Sequence, residues 1–130
     1  MPAPDDRRYL DTHEWHRAEG DVVTLGLTRF AVDELTDVTF VELPAIGTAL
    51  AAGDSVGEIE SVKATSDVYS GVGGKVIEVN QAAANDPGVV NKDPYGDGWL
   101  VKIKLSDEGD LDKLMDADTY NDKYPSESDT

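Results

Sequence analysis

Hydrophobic residues alternate with polar ones along much of the chain, and Gly, Asp and Pro interrupt the alternation at short intervals. A period of two places every second side chain on the same face of a β-strand. The clearest example is WLVKIKL, which follows the turn-rich DPYGDG and alternates Trp99, Val101, Ile103 and Leu105 with Leu100 and two lysines. Many short strands separated by turns predict a mostly β fold, a small sandwich or barrel with short peripheral helices.

Two more segments have the alternation of half-buried strands. The segment DVVTLGL has one apolar face, which consists of Val23, Leu25 and Leu27. In VTFVEL, strict alternation predicts two opposite pairs, Val38 with Phe40 and Val41 with Leu43.

Three segments predict helices. In TRFAVDEL, Thr28 is a good N-cap for a short amphipathic helix. A C-terminal helix is expected to begin after Ser106, and its apolar stripe comprises Leu111, Leu114, Met115 and Tyr120. Between them, NQAAANDPGVVN predicts one helical turn followed by a loop, because Pro87 and Gly88 prevent a longer helix.

The length of 130 residues fits one domain, residues 1–130, whose polar tail at about 124–130 is expected to be flexible. There is no cysteine, so disulfides, thiolate metal sites and cysteine nucleophiles are excluded. No apolar run approaches the roughly 20 residues of a membrane-spanning helix, and the N-terminal segment resembles neither a secretory signal nor a transit peptide. We therefore expect a cytoplasmic protein from a bacterium or an archaeon.

The chain is strongly acidic, with 27 Asp and Glu residues against 11 Lys and Arg residues and a formal net charge of −16. Such a surface repels nucleic-acid phosphates and anionic lipids, so we expect neither partner, whereas basic protein faces are favoured. The two histidines, His13 and His16, do not form a His-Glu-x-x-His pattern and lie in a segment predicted as β, so no metal site is expected.

One lysine, Lys63, lies where two strand-like runs meet, in GEIESVKATSDVYS. The runs 57–62 and 65–69 predict a β-hairpin whose two central turn residues are Lys63 and Ala64. Tight hairpin turns favour Asn-Gly or Asp-Gly, so turn stability alone does not explain a lysine there. Exposed tips are where chains present groups that a partner must reach.

Five segments together resemble the H protein of the glycine cleavage system, in order and with the expected spacing. They are THEWHRAEGDVVTLGLTRFA, FVELPAIGT, ESVKATSDVYS, KVIEVN and VNKDPYGDGWLVKIKLS. The resemblance covers about residues 9 to 122. It implies a fold of the lipoyl/biotinyl type, a sandwich-barrel hybrid with short peripheral helices and a C-terminal helix.

The resemblance implies that lipoic acid is joined to the ε-amine of Lys63 and that the protein is a carrier with no active site of its own. Such a carrier shuttles the aminomethyl group of glycine between enzymes. The implied partners are the pyridoxal-phosphate glycine decarboxylase (P protein), the tetrahydrofolate-dependent aminomethyltransferase (T protein) and dihydrolipoamide dehydrogenase (L protein). A lipoate ligase or lipoyl synthase system would attach the group.

The resemblance also assigns roles to five further residues. Thr12, Glu14 and Asp67 match the cleft that stows the loaded arm, where acceptors for an ammonium group are needed. Glu60 and Gly74 match the determinants for the attaching enzyme. The residues alone leave simpler interpretations open: a polar cluster at a strand edge, a turn acceptor, a solvent-facing carboxylate and a turn glycine.

Some positions depart from the family pattern, and two alternative functions remain. Gly71 stands where the family has proline, Gly73 stands where it has serine, and Thr36 stands where glycine ends the short helix. One alternative is an H-like lipoyl relay or a carrier for another dehydrogenase complex. The other is an acidic interaction domain with an unmodified lysine. Retention of the three cleft residues favours the glycine role, because a relay has no amine to stow.

Overall fold

Antiparallel strands dominate the computed structural model, which describes residues 6–107 and 109–124. The strands are β1 (Arg8–Tyr9), β2 (Glu14–Glu19), β3 (Val22–Leu27), β4 (Val38–Glu42), β5 (Ala49–Leu50), β6 (Ser55–Ser61), β7 (Thr65–Tyr69), β8 (Gly74–Val79) and β9 (Val101–Leu105). They form a six-stranded sheet in the order β1-β2-β3-β9-β8-β5 and a three-stranded sheet in the order β4-β6-β7. The mostly β prediction is confirmed.

Within the described residues, five short helices lie between the strands and after the last strand. They are α1 (Arg29–Leu35), α2 (Gln81–Asn85), α3 (Gly88–Lys92), α4 (Gly109–Asp112) and α5 (Ala117–Lys123). Helix α1 begins as predicted, since the Thr28 side chain accepts a hydrogen bond from the Ala31 amide.

One hydrophobic core joins the two sheets. Val23 and Leu25 of β3 and Ile103 of β9 are fully buried, and they contribute from the six-stranded sheet. Ile59 of β6 and Val68 of β7 contribute from the other sheet. Full burial of one such side chain is worth about 1.5–3 kcal/mol, so the alternating faces that the sequence predicts hold the sheets together.

The face assignment predicted for β4 is wrong. Val38 and Val41 are both buried, whereas Phe40 is 46% exposed. The ladder between β4 and β6 shifts register between Val38 and Phe40, and a residue added at a bulge reverses the side chains that follow it. Strict alternation therefore fails within this strand, and Phe40 is left on the surface.

Helix α3 replaces the loop that was predicted after Asn85. Pro87 stands at the N-cap of α3, where its missing amide hydrogen costs no helical hydrogen bond, so it starts a second helix after ending the first.

A C-terminal helix is present, as predicted, but it is not continuous from Ser106, because the segment divides into α4 and α5. Between them, the amide of Met115 donates to the carbonyl of Tyr9, and the Tyr9 amide donates back, at 3.0 and 2.8 Å. Asp116 then caps α5 by accepting from the Thr119 amide. Pairing with β1 takes the backbone that a continuous helix would need. Glu108 and residues 125–130, which include most of the predicted tail, lie outside the described residues.

Candidate functional site

Lys63 lies at the tip of the β6–β7 hairpin and is exposed. The Ser61 amide donates to the Ala64 carbonyl at 2.8 Å, and Ser61 Oγ accepts from the amides of Lys63 and Ala64 at 3.2 and 3.0 Å. The two central turn residues are therefore Val62 and Lys63, one position earlier than predicted. The Ser61 hydroxyl replaces a backbone carbonyl in closing the turn, which explains why neither Asn nor Gly is needed.

The surroundings of Lys63 are acidic and partly apolar. It is the only basic residue between Arg29 and Lys75. Val62, next to it, is 70% exposed, and Phe40 is paired with Glu60 on the neighbouring strand. Among the described ion pairs none involves Lys63. The amine is thus presented to solvent, and modifying it breaks no described ion pair.

The three residues predicted to form a cleft are brought together by a fourth, Tyr69. Thr12 Oγ1 donates to one oxygen of Glu14, and the Tyr69 amide donates to the other at 2.9 Å. The Tyr69 hydroxyl lies 3.4 Å from Asp67 Oδ2, a long hydrogen bond. Thr12 and Asp67 are exposed, whereas Glu14 is fully buried beneath them. Both Glu14 oxygens are already used within the protein.

His16, two residues after Glu14 on β2, also accepts a hydrogen bond from a backbone amide. Its Nε2 accepts from the Gly71 amide at 2.9 Å. Both side chains are fully buried, and burial penalises the charged form of each. Burial raises the pKa of Glu14 to about 7 and lowers the pKa of His16 to about 4. These two side chains attach the end of β7 to the six-stranded sheet.

A cleft of about 250 Å³ adjoins Asp67 on the three-stranded sheet. Glu42, Glu58 and Asp67, which line it, are direct neighbours across β4, β6 and β7. Gly57 also lines the cleft, and a Cβ there would collide with the carbonyl oxygen of Glu42. The cleft has no basic residue in its lining, so it favours cationic groups.

Glu60 and Gly74 lie in different sheets. Glu60 is half-buried in β6 and faces Thr65, close to the tip. Gly74 begins β8 and is paired with Leu105 of β9. A Cβ at Gly74 would collide with the carbonyl oxygen of Lys104, so close strand packing by itself requires glycine there.

The sequence and fold are similar to those of known proteins. The family model described as "Glycine cleavage H-protein" matches residues 7–127. The chain belongs to the glycine cleavage H-protein family. It is 48% identical over 128 residues to the glycine cleavage system H protein of Thermus thermophilus, with 98% of this chain and 100% of that relative covered. It is 49% identical over 120 residues to the probable glycine cleavage system H protein of Haloarcula marismortui, with 92% of this chain and 94% of that relative covered.

A crystal structure of a glycine cleavage system H protein from Mycobacterium marinum resembles this fold with a TM-score of 0.86. The sequences are 39% identical, and 94% of this chain and 98% of that chain are covered. As a member of the H-protein family, the chain is a non-catalytic lipoyl carrier of the glycine cleavage system. The family normally carries its lipoyl group on a lysine.

The described part of the chain has neither a cluster of metal-binding side chains nor a membrane-spanning helix. No three His, Asp or Glu side chains in residues 6–107 and 109–124 are grouped to hold a metal ion. None of the helices in these ranges is long and apolar enough to cross a bilayer.

Sequence reasoning missed Ser61, Tyr69 and His16 in this H-protein site. Ser61 carried a usable signal, because a serine two residues before the tip is a common turn-forming residue. Tyr69 and His16 carried none, since their contacts join residues 55 positions apart.

Proposed function

We propose that Lys63 is the lysine that bears the lipoyl group. The observation that carries the proposal is the exposed tip, where Ser61 fixes the turn and leaves the Lys63 side chain in solvent. In the attachment step, the neutral ε-amine attacks the carbonyl carbon of an adenylated lipoyl donor. The C–N amide bond forms, the acyl–phosphate bond breaks, AMP leaves and the amine proton passes to solvent.

The residues beside the tip fit an arm of this kind. Lysine and lipoyl chain together extend roughly 14 Å, and the four steps of chain from Lys63 to Asp67 span at most about 13 Å. Strand β7 is at the edge of its sheet, and Tyr69 directs its amide to Glu14 on that edge. Because alternate residues direct their backbone groups to the same edge, Thr65 and Asp67 offer theirs to an arm laid along β7.

The bound lipoyl group would supply a disulfide that accepts the aminomethyl unit and is later reoxidised. The chain's own contribution is to bind the amine end of the arm. The Asp67 carboxylate is an exposed acceptor at the end of this reach, and the exposed Thr12 hydroxyl is connected to it through Glu14 and Tyr69. Glu14 lies beneath them and fixes their positions through Thr12 and Tyr69. We therefore propose that Thr12, Glu14 and Asp67 all serve to stow the arm. Glu14 does so indirectly, by fixing the positions of its neighbours.

The proposed partners are those of the glycine cleavage system. Glycine decarboxylase, the aminomethyltransferase and dihydrolipoamide dehydrogenase each have to admit the Lys63 arm, and a lipoate ligase or lipoyl synthase system has to reach the unmodified lysine. The acidic surroundings of Lys63 favour basic faces on all of them. We propose Glu60, close to the tip, as a contact for the attaching enzyme. The bacterial and archaeal relatives support a cytoplasmic setting.

Intact mass of the protein purified from its native host, followed by peptide mapping across residues 60–75, tests the proposal. We expect one lipoyl-sized increment, confined to Lys63. Lys63→Arg should abolish the increment and glycine-dependent bicarbonate exchange with the decarboxylase, because arginine cannot form the amide. Lys75→Arg is the matched control and should retain both. An unmodified Lys63 in cells that make lipoate would refute the proposal, and a modified protein without exchange would favour the relay.

A further inference from the structure

The segment that leads to the hairpin tip contains a strained residue. Thr36 ends α1 with a φ of 64°, and it is one of only two residues other than glycine with a positive φ in the described ranges. A positive φ is unfavourable for a β-branched residue. Backbone conformations of this kind persist only where the surrounding structure holds them. We call residues 36–38, the two residues between α1 and β4 together with the first residue of β4, the linker.

Asn91 of α3 holds the linker at both ends. Its Nδ2 donates to the Thr36 carbonyl at 2.6 Å, and its Oδ1 accepts from the Val38 amide at 2.8 Å. The helix itself is fixed by Arg29, whose guanidinium donates to the Asn91 carbonyl at 2.7 Å. One amide side chain thus satisfies both a donor and an acceptor on either side of Asp37.

The residue between these two contacts reaches the tip. The Asp37 carbonyl accepts from the Val62 amide at 3.1 Å, and Val38 is paired with Ser61. Val62 and Lys63 are the central turn residues. The turn is therefore held from inside by Ser61 and from outside by the linker, whose two ends are hydrogen-bonded to Asn91.

We infer that Asn91 is a positioning residue for Lys63: through the linker it fixes the direction in which the tip presents its lysine. The inference rests on the proposed function of Lys63 as the lipoyl site. Without the side-chain amide of Asn91, Thr36 is free to leave its strained conformation. The Asp37 carbonyl then loses its alignment with the Val62 amide. A displacement of about 1 Å in a reacting group can cost up to roughly a hundredfold in rate, so a loosened tip should slow attachment.

The test compares Asn91→Leu with Val90→Ala. Leucine has the branched shape of asparagine but no polar atoms, so it removes both contacts with the linker. Val90 is fully buried on the same helix, and its truncation weakens the core while the Asn91 side chain keeps its two hydrogen bonds to the linker. Concentrations of a stabilising osmolyte are chosen so that the two variants have the same Tm. We expect kcat/KM of a lipoate ligase for Lys63 to fall about tenfold in Asn91→Leu and to remain near wild type in Val90→Ala.

Amide hydrogen exchange at Val62 gives a readout that does not depend on lipoylation. Exchange there should accelerate about tenfold in Asn91→Leu relative to Val90→Ala. If Asn91→Leu fails to fold, Asn91→Asp retains the acceptor for Val38 and lacks the donor to Thr36, so intermediate values are expected. Equal ligase rates and equal Val62 exchange in the two variants would overturn the inference. A wild-type protein that is never modified at Lys63 would instead overturn the proposed function, whatever the exchange rates.

Discussion

At the scale of single residues, two buried ionisable side chains on β2 attach the end of β7. Glu14 accepts the Tyr69 amide, and His16 accepts the Gly71 amide. Burial is the main cause of both pKa shifts, upward to about 7 for Glu14 and downward to about 4 for His16. Each group is thus held towards its neutral form. Their effects on stability have opposite signs in overlapping pH ranges.

We predict that Glu14→Gln makes the protein more stable relative to wild type as the pH rises. Between about pH 4.5 and 7, folded wild type holds a proton on Glu14 that the unfolded chain has lost, so its free energy of unfolding falls with rising pH. The variant lacks this loss and can keep an acceptor for the Tyr69 amide. The difference in free energy of unfolding should grow by the order of 3 kcal/mol across that range, as measured by urea unfolding.

The complementary variant His16→Gln should show the reverse trend. Between about pH 4 and 6.5, the unfolded chain holds a proton on His16 that the folded protein lacks, so wild-type stability rises with pH there. Removing the imidazole removes that rise, and the variant should become less stable relative to wild type as the pH increases. Differences that stay constant from pH 4 to 8 in both variants would contradict the assignment of these two groups.

At the scale of elements, the sequence predicts strands well and their irregularities poorly. The alternation in β3 and β9 is set by burial on one face, which is a local pattern. The bulge in β4 and the division between α4 and α5 come from distant partners, Ser61 in one case and Tyr9 in the other. A short stretch of sequence does not contain those contacts. A prediction from periodicity therefore makes β4 regular and the C-terminal helix continuous, which they are not.

The same distinction holds for the candidate site. The position of Lys63 at a hairpin tip was predictable from sequence because a hairpin is a local structure, whereas its role came from the family resemblance. The resemblance assigned Glu14 to the cleft that stows the arm, and the structure buries its carboxylate under Thr12 and Tyr69. Asn91 gave no signal, since its two contacts lie more than 50 residues away in the chain. Side chains that support a site from a distance need the tertiary structure to be found.

Strand packing leads to a prediction that separates Gly74 from Glu60. Gly74→Ala should lower the free energy of unfolding by about 3 kcal/mol, because its Cβ meets the backbone of β9 at Lys104. Glu60→Gln lies on a half-exposed strand position and should change stability by less than about 0.5 kcal/mol.

Lipoate ligase kinetics then distinguish two roles. Glu60→Gln should lower kcat/KM for Lys63 while Tm is unchanged. Gly74→Ala should lower the yield of modified protein only in proportion to the fraction folded. A Gly74→Ala protein with wild-type Tm and slow modification would instead indicate direct contact with the ligase.

At the scale of the whole molecule, the formal net charge is −16, and the charged residues are distributed unevenly between the two sheets. The six-stranded sheet carries several basic residues, and Lys75 is paired with Lys104 on it. The three-stranded sheet carries Glu42, Glu58 and Asp67 in one cross-strand row, with no basic residue between Thr65 and Gly74. Amide formation would remove the positive charge of Lys63 as well. A lipoylated carrier would therefore present a more uniformly acidic sheet than an unmodified one.

This asymmetry predicts salt-dependent docking that originates on one sheet. Association rates of the lipoylated protein with the decarboxylase and the aminomethyltransferase should fall as ionic strength rises, because screening shortens the reach of surface charge to about 10 Å at 0.1 M. Glu42→Gln with Glu58→Gln should lower the rate at low salt and flatten the salt dependence. Glu19→Gln with Asp21→Asn removes the same charge from the β2–β3 turn and should do much less. Stopped-flow association rates that do not change with salt, or that both variant pairs reduce equally, would rule out electrostatic steering by the three-stranded sheet.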